Sequence, residues 1–99
     1  MGISSDTLRA TAVRVTDDAL IVDLADGRTV SAPLAWYPRL LQGSLAERND
    51  YQLIGSGIGI HWPQLDEDIS MAGILAGRPS CENKKSFDEW LASREAARI

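Results

Sequence analysis

Apolar and polar residues alternate in three short runs near the start of the chain. Over residues 9–16 (RATAVRVT), Thr11, Val13 and Val15 share one side while Ala10, Ala12 and Arg14 share the other, which is the period-two pattern of a half-buried strand. Asp17-Asp18 turns the chain, and residues 19–24 resume the alternation with Leu20, Val22 and Leu24 on one face. Asp26-Gly27 predicts a type I′ hairpin turn, with positive φ at both central positions. Residues 28–32 then supply a third strand that turns Val30 and Ala32 inward. These runs predict an antiparallel meander.

After Pro33 the period changes. Leu34, Tyr37, Leu40 and Leu41 stand at helical spacing, and Pro38 restricts the helix start to the neighbourhood of Trp36 or Tyr37, where a first-turn proline costs no hydrogen bond. Gly43 stops this helix; Ser44 and Glu47 have the spacing of a capping box, so a further helical turn is expected before Tyr51. Alternation returns with Tyr51, Leu53, Ile58, Ile60 and Trp62, a second hairpin turning at Gly55-Ser56-Gly57 and ending at Pro63. The acids Asp66, Glu67 and Asp68 are expected on the loop that leaves this sheet. Ser70 caps a short helix through Met71, Ile74 and Leu75, which Gly77 terminates. Residues 78–85 lack periodicity and read as a linker, and a second capping box at Ser86 and Glu89 begins a C-terminal helix over 87–98.

The expected fold is therefore α+β: an antiparallel meander plus a second hairpin, with short helices and a C-terminal helix. One domain covers 1–77, with 1–7 as a flexible lead-in, 78–85 as a linker and 86–99 as the last helix. Composition adds bounds rather than detail. A chain of 99 residues buries a modest core, so self-association, as a dimer, is expected to help it. The formal charge of −4 argues against direct nucleic-acid binding, which needs clustered Lys and Arg. The lone Cys81 cannot form an internal disulfide, and the N-terminus carries neither the basic nor the apolar part of a signal peptide. With no run near the roughly 20 apolar residues of a membrane span, a cytoplasmic protein is expected.

Candidate chemistry concentrates in residues 50–77. Gly55, Gly57 and Gly59 have the spacing of a phosphate loop, but the context is strand to strand, where glycines serve a hairpin turn. His61 with Asp66 and Asp68 offers an imidazole and two carboxylates, the ligand types of a zinc or manganese site or an acid and base pair. No second histidine and no nucleophile accompany them. Trp36 and Trp62 are large aromatics of the kind that serve either small cores or interface anchors.

The segments PLAWYPRL at 33–40, YQLIG at 51–55, GIHWP at 59–63 and LDEDIS at 65–70 resemble a bacterial family known as domain of unknown function 2442. The resemblance covers about residues 10–77. It implies a small α+β fold with a meander, a short helix and a hairpin. It also implies an antitoxin or regulatory role, because members are often encoded beside small presumed toxins and some are fused to a helix-turn-helix domain. No catalytic residues transfer, and no helix-turn-helix is recognisable after Gly77.

The function expected from the sequence is a non-enzymatic, antitoxin-like or regulatory interaction module without a cofactor. Its surface for a basic partner protein would comprise Trp36, Tyr37, His61, Trp62, Asp66, Glu67 and Asp68. The rival readings are a dimeric transcriptional regulator, and a small metal-dependent or acid-base enzyme built on His61, Asp66 and Asp68.

Overall fold

The structure is a computed structural model, and it describes residues 9–97. The expected lead-in at 1–7 and the end of the last helix lie outside the described residues. The first meander comprises β1 (Ala10–Val15), β2 (Ala19–Leu24) and β3 (Thr29–Pro33), paired antiparallel in chain order. Leu20, Val22 and Leu24 are buried, as the alternation requires. Ala10, expected on the outer face, is buried too. A β-bulge between Ala10 and Ala12 sets Ala10 opposite Leu24 and Ala12 opposite Asp23, so the side-chain alternation slips by one residue there.

The β2–β3 connection also departs from the expected type I′ turn. Gly27 has φ 92° and Asp26 lies outside the left-handed region. The Gly27 amide donates to the Leu24 carbonyl and the Leu24 amide to the Arg28 carbonyl, giving a three-residue loop that ends in one left-handed glycine. Asp26 is used differently: its carboxylate accepts from the Arg28 backbone amide and from Arg28 Nε.

A single 3₁₀ turn over Leu34–Trp36 leads into α1 (Pro38–Gln42), with Pro38 in the first turn where its missing N–H costs nothing. The capping box then forms in full around α2 (Leu45–Asn49): Ser44 Oγ accepts from the Glu47 amide and Glu47 Oε1 from the Ser44 amide. Arg48 on α2 is buried. Its guanidinium donates to the carbonyls of Leu40 and Leu41, satisfying the open end of α1.

The second sheet has three strands rather than the two expected. β4 (Gln52–Ile54), β5 (Gly59–Trp62) and β6 (Glu67–Ser70) pair antiparallel in chain order. The acidic run thus belongs mostly to a strand instead of a loop, because Pro63–Asp66 closes a second tight turn, in which Asp66 takes φ 51°. The turn at Gly55-Ser56-Gly57 forms as expected, all three residues having positive φ. Ile58 belongs to that turn and is exposed, as are Leu53 and Ile54 on the edge strand β4. One core takes side chains from both sheets and from the short helices, including Leu20, Val22, Leu40, Ile60, Trp62 and Leu65. The Ala10 amide donates to the Gly57 carbonyl at 2.8 Å and stitches the first strand to the second hairpin.

α3 (Met71–Leu75) is capped by Ser70 Oγ and followed by Gly77 at φ 72°. The last helix, α4 (Lys84–Ala97), starts before the Ser86 capping box, since Asn83 Oδ1 accepts from the Ser86 amide and caps it first. The expected linker is tied down: the Ser80 amide donates to the Trp36 carbonyl, and Glu82 pairs with Arg39. α4 docks largely through charge. Arg94 makes a two-pronged ion pair with Glu47 at 2.7 and 2.9 Å, and the guanidinium carbons of Arg39 and Arg94 each lie 4.9 Å from the Trp90 ring centroid. No helix among the described residues is long and apolar enough to cross a membrane.

Candidate functional site

Two residues of the expected surface are core residues. Trp62 is fully buried, and its indole Nε1 donates to the Arg48 carbonyl at 3.0 Å. Tyr37 is 2% exposed, and Trp36 is half-buried against the same core. Their size, which suited either role, is used for packing in a small domain. His61 and Asp68 face each other across β5 and β6, with Nδ1 and Oδ1 2.6 Å apart at the surface. Asp66 is well exposed beside them in sequence but points its backbone elsewhere, its carbonyl accepting from Arg39 Nη1 at 2.9 Å. Among the described residues no group of three or more His, Cys, Asp or Glu side chains is placed to share a metal ion, so the His61, Asp66 and Asp68 set does not assemble.

What the structure does assemble is a pocket of about 420 Å³ between β6, the start of α1 and residues 78–82. Its charged lining is four carboxylates, Asp66, Glu67, Asp68 and Glu82, against the two guanidiniums of Arg39 and Arg78. Arg39 is fully engaged. It bonds Glu82 through Nε and Nη2 and the Leu65 and Asp66 carbonyls through Nη1. Glu82 also accepts from Ser86 Oγ, and the Arg39 guanidinium holds its carboxyl below the usual range.

Glu67 is the unusual member. Residues 65, 67, 69 and 71 alternate with 66, 68 and 70, and of the first set Leu65, Ile69 and Met71 are buried core residues. Glu67 stands in that inward register, opposite Trp62 on β5. Its Oε1 accepts from the Asp68 amide, whereas Oε2 is buried without a hydrogen-bond partner. Burial pushes its carboxyl up, against the pull of the Asp68 amide and the Arg39 charge. Tyr37, which lines the same pocket, has a buried hydroxyl that is likewise unpartnered. Burial raises the phenol, and the Glu67 charge nearby raises it further. Each buried polar atom left unpaired costs about 1–3 kcal/mol, and Glu67 Oε2 and the Tyr37 hydroxyl both lie in this one pocket.

A family model described as a protein of unknown function, DUF2442, matches residues 10–80. The chain belongs to that family. Its match takes in both sheets, α1 to α3 and most of the pocket, and leaves Glu82 and α4 outside. Two solved structures are similar. One is a protein of unknown function from Rhodospirillum rubrum, 32% identical, covering 75% of this chain and 92% of its own, at a TM-score of 0.65. The other is an uncharacterized protein from Chromobacterium violaceum, 20% identical, covering 82% of this chain and 74% of its own, at a TM-score of 0.62, a likeness of fold. No curated protein matches the chain.

Arg39 and Glu82 had no visible link in the sequence, being far apart along it. Glu67 did carry a signal: a carboxylate in step with Leu65, Ile69 and Met71. The acidic run obscured it by resembling a solvated turn.

Proposed function

We propose that this DUF2442 protein is a non-enzymatic, cytoplasmic protein-interaction module, antitoxin-like or regulatory, that receives a basic partner protein at the acidic pocket. The observation that supports this most is Glu67, a carboxylate placed on the buried side of β6 with one oxygen unsatisfied. A charge held there is costly to the free chain and becomes favourable once a positive group reaches it. The exposed carboxylates Asp66 and Asp68 at the mouth suit electrostatic steering of such a partner. Arg39 and Glu82 in the pocket are occupied with each other, and the His61–Asp68 pair lies at the surface.

The presumed toxins beside which family members are encoded make the product of the adjacent gene the partner to test. The variant Asp66→Asn, Glu67→Gln, Asp68→Asn should keep its fold, since the changes are isosteric, yet capture that product several-fold less at low salt, with the difference shrinking as salt rises. Undiminished capture at both salt concentrations would refute the reading. Dimerisation is part of the same proposal. Leu53, Ile54 and Ile58, all exposed around the second hairpin, offer apolar surface to a second copy, and a monomeric mass by light scattering at micromolar concentration would count against it.

A further inference from the structure

Resting on the interaction-module reading, we infer that the pocket binds a primary ammonium group, held between the carboxylate of Glu67 and the hydroxyl of Tyr37. Glu67 Oε2 and the Tyr37 hydroxyl are both buried and unpartnered; the first, as a carboxylate oxygen, can only accept, and the second can accept as well as donate. Tyr37 is 2% exposed, so its hydroxyl has no recourse to bulk water. Neither guanidinium of the lining fills the role: Arg39 is committed to Glu82 and to two backbone carbonyls, and Arg78 makes no hydrogen bond to Glu67 Oε2 or to the Tyr37 hydroxyl.

The geometry also separates one cation from another. A guanidinium presents its donors in a rigid planar fork that suits the two oxygens of one carboxylate, whereas the two unpartnered oxygens here, Glu67 Oε2 and the Tyr37 hydroxyl, belong to different residues. An ammonium, a compact charge with three rotatable donors, can serve two separately placed oxygens. The carboxylates of Asp66, Asp68 and Glu82 leave the lining net negative against Arg39 and Arg78, which favours a cation over an anion or a neutral hydroxyl compound. Such a group is carried by a lysine side chain of a partner protein or by a free alkylamine.

The test is a titration of the ¹⁵N-labelled protein with n-butylammonium, followed at the pocket amides of Ser70 and Gly73. Saturable shifts are expected. Glu67→Gln should weaken the affinity at least tenfold and Tyr37→Phe several-fold, while the remote Asp26→Asn should change it less than twofold. Shifts that do not saturate, or equal affinity in Glu67→Gln, would overturn the site; should Glu67→Gln lose the dispersed spectrum of a folded chain, Tyr37→Phe decides alone. A lysine-containing tripeptide and putrescine, titrated in parallel, distinguish the sources: tighter binding of either assigns the ammonium to that source, and binding of neither overturns the proposal. Glu67→Gln that still captures the adjacent gene product at full strength would refute the ammonium site and spare the module. Butylammonium bound with no capture of that product would refute the module and spare the site.

Discussion

Replacing Glu47 by Gln isolates the charge that docks α4. The carboxylate of Glu47 performs two tasks at once: Oε1 accepts from the Ser44 amide and closes the capping box, and both oxygens accept from Arg94. Glutamine at that position still caps α2, because the box needs an acceptor rather than a charge. Only the ion pair is lost. The Arg94 guanidinium foremost, with the Ser44 hydrogen bonds beside it and against the effect of burial, lowers the Glu47 carboxyl from 4.5 to about 2, a shift worth about 3 kcal/mol. The two side chains keep 13% and 17% of their exposure, so screening by solvent brings the expected loss to about 1–2 kcal/mol. The sign of the pH dependence follows. A carboxyl made more acidic by folding stabilises fully above its unfolded value and loses that contribution as pH falls from 4.5 towards 2. Urea unfolding of the two proteins should therefore differ by about 1–2 kcal/mol at pH 7 and converge only as the pH falls through about 2, with the α4 amides exchanging faster in the variant at neutral pH. A gap that stays the same size as the pH falls through about 2, or none at pH 7, would refute the assignment.

Three further outcomes follow from the backbone and the core. Gly57→Ala should destabilise by roughly 2–4 kcal/mol, since a Cβ there would collide with the Ala10 carbonyl and approach its nitrogen to 2.9 Å at a φ of 106°; a melting temperature within a degree of wild type would exclude the stitch between β1 and the second hairpin. Gly27→Val should cost only about 1 kcal/mol, because the position has open space and the strain comes from φ alone, and calorimetry showing a loss as large as that of Gly57→Ala would contradict this ranking. Trp62→Phe should lose about 1–3 kcal/mol in chemical denaturation by leaving the buried Arg48 carbonyl without its indole donor, and an unchanged midpoint would mean that this bond contributes nothing.

Features written in local chemistry were legible in the sequence. The first meander, the first-turn Pro38, the Ser44 and Glu47 capping box and the Gly55-Ser56-Gly57 turn each depend on residues within a few positions of one another. The failures share the opposite cause. The bulge at Ala10 is fixed by what lies across from it on β2, and the early start of α4 depends on Asn83 competing with Ser86 for the cap. β6 went unseen because a three-acid run resembles a loop until a partner strand reveals which acid faces inward. Trp62 and Tyr37 were legible as important, but whether a large aromatic faces the core or solvent is decided by long-range packing. For the same reason the Arg39–Glu82 pair, and with it the closed wall of the pocket, had no sequence signal at all.

Each sheet is made solely of strands adjacent in the chain, β1 to β3 and then β4 to β6, and this bears on how the protein reaches its structure. Both meanders close through short loops, so each can form early at little cost in loop entropy. The expensive step is left to the meeting of the two halves, where Ala10 must find Gly57 across most of the domain. Folding speed should then be governed by that encounter rather than by strand pairing. The pocket, whose walls come from Tyr37 of one half, β6 of the other and the segment beyond α3, would exist only once the encounter is complete.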